Sequence, residues 1–149
     1  MKKSIAFEDI EVGTIIPPLS KEPTSAETFL YSAVAWNPLR VHYDADYSRE
    51  QAALPGILVH GTMLASFFAQ MIYDWIGEEG MLEKLRWNSR GMVLINDRII
   101  CQGKVISKYV VDNKNFVECE LWIAKQKGEN VTSGKAVITL LGKGEAGNG

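Results

Sequence analysis

The chain has 149 residues, of which 46% are hydrophobic and 23% are charged, with a formal net charge of −2 at pH 7. These values are typical of one globular domain with a substantial core. Because the chain has neither a basic excess nor a run of basic residues, its composition argues against nucleic acid or an anionic membrane as its main partner.

The cysteines, Cys101 and Cys119, form neither a disulfide framework nor a metal-ligand spacing. They are expected to be packed thiols on strands of a cytoplasmic protein, with no metal site. The N-terminus turns acidic too soon for a secretory signal. The apolar stretch at residues 57–76 is interrupted by polar side chains and is too polar to span a bilayer.

Residues 5–23 predict an extended lead-in with a turn at Gly13 and a stop at Pro17 and Pro18. This segment carries no chemistry of its own. Its role in the prediction is to place the first helix, which follows it directly.

Thr24 and Glu27 have the spacing of a capping box, which predicts the start of a short helix. Pro38 is expected to end this helix, since a residue before proline avoids the helical region. Residues 46–56 predict a second short helix or turn. The stretch between the two helices is then an irregular loop held by rigid elements, where catalytic groups are common.

Residues 57–77, ILVHGTMLASFFAQMIYDWIG, predict one long helix. Its apolar residues fall on nearly every face, which indicates a helix wrapped on several sides. Gly77 stands where a C-terminal capping glycine belongs.

The rest of the chain is rich in β-branched residues and predicts strands within residues 91–111, 115–126 and 131–142, with hairpin turns between them. Helices early and strands late imply an α+β domain, with an antiparallel sheet curled around the long helix. Because such a sheet covers only part of the helix, a second identical or different subunit is expected to cover the remainder. The domain is expected to fill residues 1–142, followed by a disordered tail at 143–149.

The loop sequence AWNPLRVHYDADY, residues 35–47, contains the first candidate site residues. His42 can both accept and donate a proton near neutral pH, or can simply bind loop backbone. Asn37 can orient a water or a carbonyl but cannot act as a base, and the local sequence alone favours a helix C-cap or turn residue. Arg40 can bind a phosphate or carboxylate, or pair with a nearby aspartate. Asp44 is expected to cap the next helix rather than orient His42.

His60 and Gly61 precede the most apolar part of the long helix. Free N–H groups at a helix start favour developing negative charge, and a glycine lets a substrate carbonyl approach the backbone. The alternative is a plain break before the helix. The sequence contains no phosphate-binding loop, no dinucleotide glycine motif and no G-x-S-x-G.

Residues 7–44 and the block PGILVHGTMLASFF resemble the MaoC-like acyl-CoA hydratases and dehydratases. The opening of that family runs F-x-D-I-x-V-G, then P-P-L, a threonine-capped helix and a loop G-D-x-N-P-x-H-x-D, and H-G-M-L opens its central helix. The resemblance covers most of residues 7–142. It implies the hot dog fold, a long helix wrapped by a curved antiparallel sheet and usually dimerised.

The resemblance also implies a chemistry, the addition of water to a 2-enoyl thioester or its removal from a 3-hydroxyacyl thioester. In the family an Asp and a His five residues apart hold the water, and a backbone N–H at the helix start polarises the thioester carbonyl. Carried over without a gap, the His is His42, the glycine is Gly61 and the Asp falls on Asn37. The family's own Asn and Pro fall on Leu39 and Arg40, so the N-P dipeptide at residues 37–38 is a coincidence.

The form N-x-x-R-[IV]-H-Y-D resembles a subgroup near mesaconyl-type CoA hydratases, in which Asn also replaces the Asp. We therefore expect an (R)-type hydratase that acts on acyl-CoA without a cofactor, with His42 as sole acid and base and Asn37 orienting the water. One alternative is a non-catalytic or half-catalytic subunit of a heteromeric dehydratase. A third is a hot dog thioesterase, for which Asp74 is the sole carboxylate on the long helix.

Overall fold

In a computed structural model of the protein, residues 5–143 are described, and they form five strands and three α-helices. In chain order these are β1 (Ile15–Lys21), α1 (Ser25–Val34), α2 (Ala45–Glu50), α3 (Gly61–Ile76), β2 (Met81–Ser89), β3 (Ile99–Val111), β4 (Lys114–Lys125) and β5 (Asn130–Leu140). The strands form one antiparallel sheet in the order β1-β3-β4-β5-β2. The predicted α+β hot dog arrangement is confirmed. The expected tail lies outside the described residues, except for Lys143.

Helix α3 packs against the concave face of this sheet and supplies much of the core. Its buried residues are Met63, Leu64, Ala65, Phe67, Phe68, Met71, Ile72 and Ile76, and the residues left exposed along it are Thr62, Ser66, Gln70, Tyr73 and Asp74. The prediction of a helix wrapped on several sides is confirmed, with one narrow stripe uncovered. Among residues 5–143 no helix is long and apolar enough to cross a membrane.

The helix begins later than the sequence predicts, because residues 57–60 are extended. Leu58 forms an isolated antiparallel bridge with Leu94, supported by bonds from Val59 N–H to the Val93 carbonyl (2.8 Å) and from Ile95 N–H to the Ile57 carbonyl (3.1 Å). Pairing with residues 93–95 therefore outweighs the helical pattern here. The predicted strand at 91–111 is correspondingly wrong over residues 91–98, and β3 starts at Ile99.

Strand β1 runs through Pro17 and Pro18, where the sequence predicts a stop. The register shifts between Ile16 and Leu19 at this point, and β1 is an edge strand. Proline is tolerated in such positions because no ladder hydrogen bond from its nitrogen is needed. Strand β2, at the opposite edge, is not predicted from the sequence.

The two later hairpins are confirmed. Asp112 and Asn113 alone connect β3 to β4, and both have positive φ (49° and 60°), as a two-residue type I′ turn requires. Cys101 and Cys119 are buried in β3 and β4, as expected, and burial raises the pKa of each thiol to about 12. Neither is therefore suited to act as a nucleophile.

Candidate active site

The loop that carries His42 is fixed first at the end of α1. The predicted capping box is present at the start of this helix, where Thr24 and Glu27 bond reciprocally. The helix then ends in a Schellman motif, in which the N–H of Trp36 bonds to the Ala33 carbonyl (3.3 Å) and the N–H of Asn37 to the Ser32 carbonyl (2.9 Å). The helix thus ends at Val34, four residues before Pro38, which was expected to stop it.

Trp36 adopts φ of 50° in this motif and is 90% exposed. A left-handed backbone is uncommon for a bulky residue, so the turn is held by its surroundings rather than by local preference. The Tyr43 hydroxyl supports it by donating to the Pro38 carbonyl (3.0 Å), and the Tyr43 ring packs edge-on against Phe29.

Leu58 joins this loop to the segment that leads into α3. Its N–H donates to the Val41 carbonyl (2.9 Å), and its carbonyl lies 2.7 Å from Nδ1 of His42. Because a carbonyl oxygen can only accept, Nδ1 of His42 carries the proton. The Nε2 atom makes no hydrogen bond to residues 5–143 and keeps some contact with solvent, although His42 as a whole is only 7% exposed. His42 therefore presents a free basic nitrogen.

The two histidines of the chain form a stacked pair. The rings of His42 and His60 have centroids 3.7 Å apart and planes 20° apart. The residues predicted as two separate polar clusters therefore form one site, and Gly61, next in the chain after His60, opens α3 directly beside it.

His60 is 1% exposed and is bound from α1. Its Nε2 lies 3.0 Å from Oγ of Ser32, and the hydroxyl of Ser32 in turn donates to the Thr28 carbonyl (3.1 Å). Nδ1 of His60 has no partner among the described residues. The tautomer that buries no unpaired N–H therefore has the proton on Nε2, which donates to Ser32 while the Ser32 hydroxyl donates to Thr28. Burial, and then the nearby charge of His42, lowers the pKa of His60 to about 4. His60 is therefore neutral at physiological pH.

Gly61 faces strand β2. A Cβ atom at this position would lie 3.1 Å from Oγ and 3.9 Å from Cβ of Ser89, so the absence of a side chain lets the strand approach the helix start. This close contact is a physical reason for a glycine here, and the approach of a substrate carbonyl stays a prediction.

Arg40 bonds to Asp44 through Nε (3.0 Å) and Nη2 (2.6 Å), and its guanidinium lies over the Tyr47 ring. Asp44 also caps α2 by accepting from the Tyr47 N–H, as predicted. That bond, followed by the one from Arg40, lowers the pKa of Asp44. The geometry favours the ion-pair alternative for Arg40, and a role in substrate binding stays a prediction.

Asn37 occupies a local turn, with its Oδ1 accepting from the Leu39 N–H (3.3 Å). It lines an apolar cavity of about 260 Å³, together with Ser32, Trp36 and Tyr43 among others. Within residues 5–143 no hydrogen bond joins Asn37 to His42. The turn alternative is thus present in the structure, and one lone pair of Oδ1 stays available for a water.

Sequence reasoning missed Ser32 and Ser89. Ser32 follows Thr28 by four residues, which places both on one helix face, and these two are the buried residues of α1. This small polar face was a usable signal. No comparable signal identifies Ser89, whose position depends on the pairing of β2 with β5.

The sequence profile of the hydroxyacyl-thioester dehydratase type 2 family matches residues 16–91, which include every residue of the site described above. The chain belongs to the hydroxyacyl-thioester dehydratase type 2 family. Its resemblance to MaoC-like proteins is thereby confirmed.

Among curated relatives, this family member is similar to the mesaconyl-C(4)-CoA hydratase of Chloroflexus aurantiacus, with 35% identity over 43 residues. That match spans 29% of this chain and 15% of the length of the hydratase.

Solved structures share the fold. The unliganded R-hydratase PhaJ1 from Pseudomonas aeruginosa superposes with a TM-score of 0.85 at 20% identity, covering 94% of this chain and 88% of that one. A chain of the ChsH1-ChsH2 complex from Mycobacterium tuberculosis gives a TM-score of 0.76 at 15% identity, covering 87% and 98%.

The lowered pKa of His60 predicts a specific dependence of stability on pH. As the pH falls from about 6.5 towards 4, the unfolded chain protonates this histidine and the native state does not, so the free energy of unfolding decreases. We expect His60→Phe to weaken this decrease, as measured by urea unfolding at pH 7.0, 5.5 and 4.5. The carboxylates contribute equally to the pH dependence of the wild type and of the variant, so their contribution cancels when the two are subtracted. Parallel curves for the two proteins would contradict the prediction.

Proposed function

We propose that the protein adds water to 2-enoyl thioesters of coenzyme A and removes it from the corresponding (R)-3-hydroxyacyl thioesters. The observation that carries this proposal is the state of His42. Its Nδ1 is bound to the Leu58 carbonyl, its Nε2 has no hydrogen-bond partner within residues 5–143, and its ring stacks on His60, the residue before the start of α3. Membership of a family of hydroxyacyl-thioester dehydratases supports it.

In the hydration direction, Nε2 of His42 takes a proton from water while the water oxygen bonds to C3 of the substrate. The electron pair of the C2=C3 bond moves towards the thioester, and its carbonyl oxygen gains negative charge. We assign the binding of that oxygen to the N–H of Gly61, at the positive end of α3. His42 then delivers its proton to C2, which leaves the histidine neutral again.

Asn37 is proposed to orient the water through Oδ1. Unlike an aspartate, an amide adds no negative charge beside the histidine, so its contribution is positional. This is the role expected where Asn stands in place of the family's Asp.

A second candidate is a half-catalytic subunit that works with another hot dog chain. The local bond from Leu39 to Asn37 favours it, because this side chain then belongs to the turn rather than to the reaction. Large apolar side chains are also exposed around α1, namely Phe29, Leu30, Val34, Trp36 and Leu39. Apolar patches of this kind mark subunit contacts, and we propose that a like or unlike hot dog subunit covers part of this surface.

Hydrolysis of the thioester is less well supported. Asp74 lies near the far end of α3, about 20 Å from Gly61 at about 1.5 Å per residue. A carboxylate at that distance cannot activate water at the start of the helix.

Two variants of His42 separate its proposed role in proton transfer from its structural bond to the Leu58 carbonyl. His42→Ala and His42→Asn should each lower kcat by roughly 10²-fold or more, because neither residue can shuttle a proton. The Asn variant keeps an N–H donor for the Leu58 carbonyl, so its free energy of unfolding should stay closer to that of the wild type. The measurements are crotonyl-CoA hydration and urea unfolding. Near-normal turnover by either variant would remove His42 from the mechanism.

Asn37 is tested against the half-catalytic alternative. If Asn37 orients the water, Asn37→Ala should cost about 1–3 kcal/mol of transition-state stabilisation, as expected for a lost buried hydrogen bond. Asn37→Asp keeps the acceptor for Leu39 and should help little or do harm, because the new carboxylate needs surroundings that solvate its charge and the Leu39 N–H is the one hydrogen-bond donor found for this side chain within residues 5–143. Initial rates of wild type and both variants, alone and with any co-purifying hot dog chain, decide the matter. A wild type that is inactive alone and gains activity with the partner supports the half-catalytic subunit.

The Gly61 prediction uses its contact with Ser89. Gly61→Ala should lower kcat/KM, because the methyl group obstructs the approach of the thioester carbonyl to the helix start. In a Ser89→Ala background the short contact with Oγ is absent, while the obstruction of substrate is unchanged. We therefore expect the double variant to regain stability but not activity, measured by unfolding and by steady-state kinetics. Recovery of both would assign this glycine to packing alone.

A further inference from the structure

His60 is a buried titratable group that the proposed reaction does not use. Three neighbours enclose it: the His42 ring at 3.7 Å, the Ser32 hydroxyl at 3.0 Å and the Tyr31 ring at 4.9 Å between centroids. Each fixes a different part of the imidazole, since the rings restrain its plane and the hydroxyl restrains its edge.

The charge state of this ring follows from the same contacts. Protonating His60 while His42 is protonated would place two cations 3.7 Å apart in a buried position. Among residues 5–143 no carboxylate forms a hydrogen bond or an ion pair with the His60 ring to offset this repulsion. The more enclosed ring, His60, is therefore the one that stays neutral while His42 transfers protons in the proposed reaction.

His42 needs a second restraint. Its Nδ1 bond to the Leu58 carbonyl holds one corner of the ring through a single contact. A 180° rotation of the ring about Cβ–Cγ would put Cδ2 in the place of Nδ1 and Cε1 in the place of Nε2, which would break the bond to Leu58 and remove the basic nitrogen from its position. A flat neighbour at stacking distance prevents such a swing, because the ring would collide with it.

We propose that His60 is a positioning residue, a neutral ring held by Ser32 against which His42 stacks, so that His42 keeps its proton on Nδ1 and its basic Nε2 in the site. The effect of His60 on the orientation of the His42 ring does not depend on the proposed hydratase function. The catalytic consequence rests on the proposed hydratase function.

The matched variants separate the ring from its hydrogen bond. His60→Phe keeps a flat ring for stacking and loses the bond to Ser32. His60→Gln keeps a donor for Ser32 and loses the ring, and His60→Leu loses both. Ser32→Ala keeps the His60 ring and removes its acceptor, which provides a readout even if a His60 variant does not fold.

Long-range proton–nitrogen NMR of the untagged protein reads the tautomer of each imidazole directly. The chain has two histidines, so one single-histidine variant assigns both. We expect opposite tautomers in the wild type at pH 7, with Nδ1–H on His42 and Nε2–H on His60. His60→Phe should keep the Nδ1–H form of His42, whereas His60→Gln and His60→Leu should give a mixture. Ser32→Ala should turn His60 itself into a mixture.

Kinetics with crotonyl-CoA give the second readout. His60→Gln and His60→Leu should lower kcat roughly 10- to 100-fold, as a displaced catalytic group does, with KM changed less than about threefold. His60→Phe should retain most of kcat. An unchanged tautomer of His42 in the Gln and Leu variants, or a Phe variant as impaired as Leu in tautomer and kcat, would overturn the proposal.

The two levels of the inference fail in different ways. If the wild type does not hydrate any enoyl-CoA but the tautomers respond as expected, the proposed function is wrong and the positioning of His42 by His60 stands. If the wild type is active and the tautomer of His42 ignores every change at His60, the positioning role is wrong and the function stands.

Discussion

The hydrogen bond from Nδ1 of His42 to the Leu58 carbonyl is the interaction on which the rest of the site depends. It connects two segments that are sixteen residues apart in the chain and sets which nitrogen of His42 is free. The same residue, Leu58, pairs with Leu94 on its other side, so the bond ties the loop to the edge of the core. Residues 57–60 are extended because they pair with residues 93–95. In a helix starting at residue 57, the Leu58 carbonyl would instead accept a hydrogen bond from within the helix.

The stacking of the two histidines also affects the charge that each ring can carry. Burial, and then the nearby charge of His42, lowers the pKa of His60, so His60 stays neutral at physiological pH, and His42 is the less enclosed member of the pair. Asn37 is consistent with such a site, because an amide does not disturb the balance as a carboxylate would. We propose that orientation, rather than a neighbouring negative charge, prepares the histidine for catalysis.

How far the sequence predicts this arrangement differs from element to element. Local patterns predict several features, since a cap, an alternation or an ionisable side chain is visible within one segment. They predict the cap at Thr24, strands β4 and β5, and the candidates His42 and Gly61. The ring pair and Ser89 depend on contacts between distant segments, which no local pattern encodes. Two predictions were wrong because pairing between distant segments prevailed. Residues 57–60 are extended despite their helical periodicity, and β1 continues through the two prolines that were expected to stop it.

The claim that one histidine performs both proton transfers is tested most directly by hydrating crotonyl-CoA in D2O. If His42 takes the proton from water and returns one to C2 from the same face, hydroxyl and deuterium add to one side of the double bond. The account predicts a single 3-hydroxybutyryl-CoA diastereomer with one deuterium at C2, placed by syn addition, as read by proton NMR of the product. Deuterium on the opposite face, or on both faces equally, would contradict a single acid and base in this site.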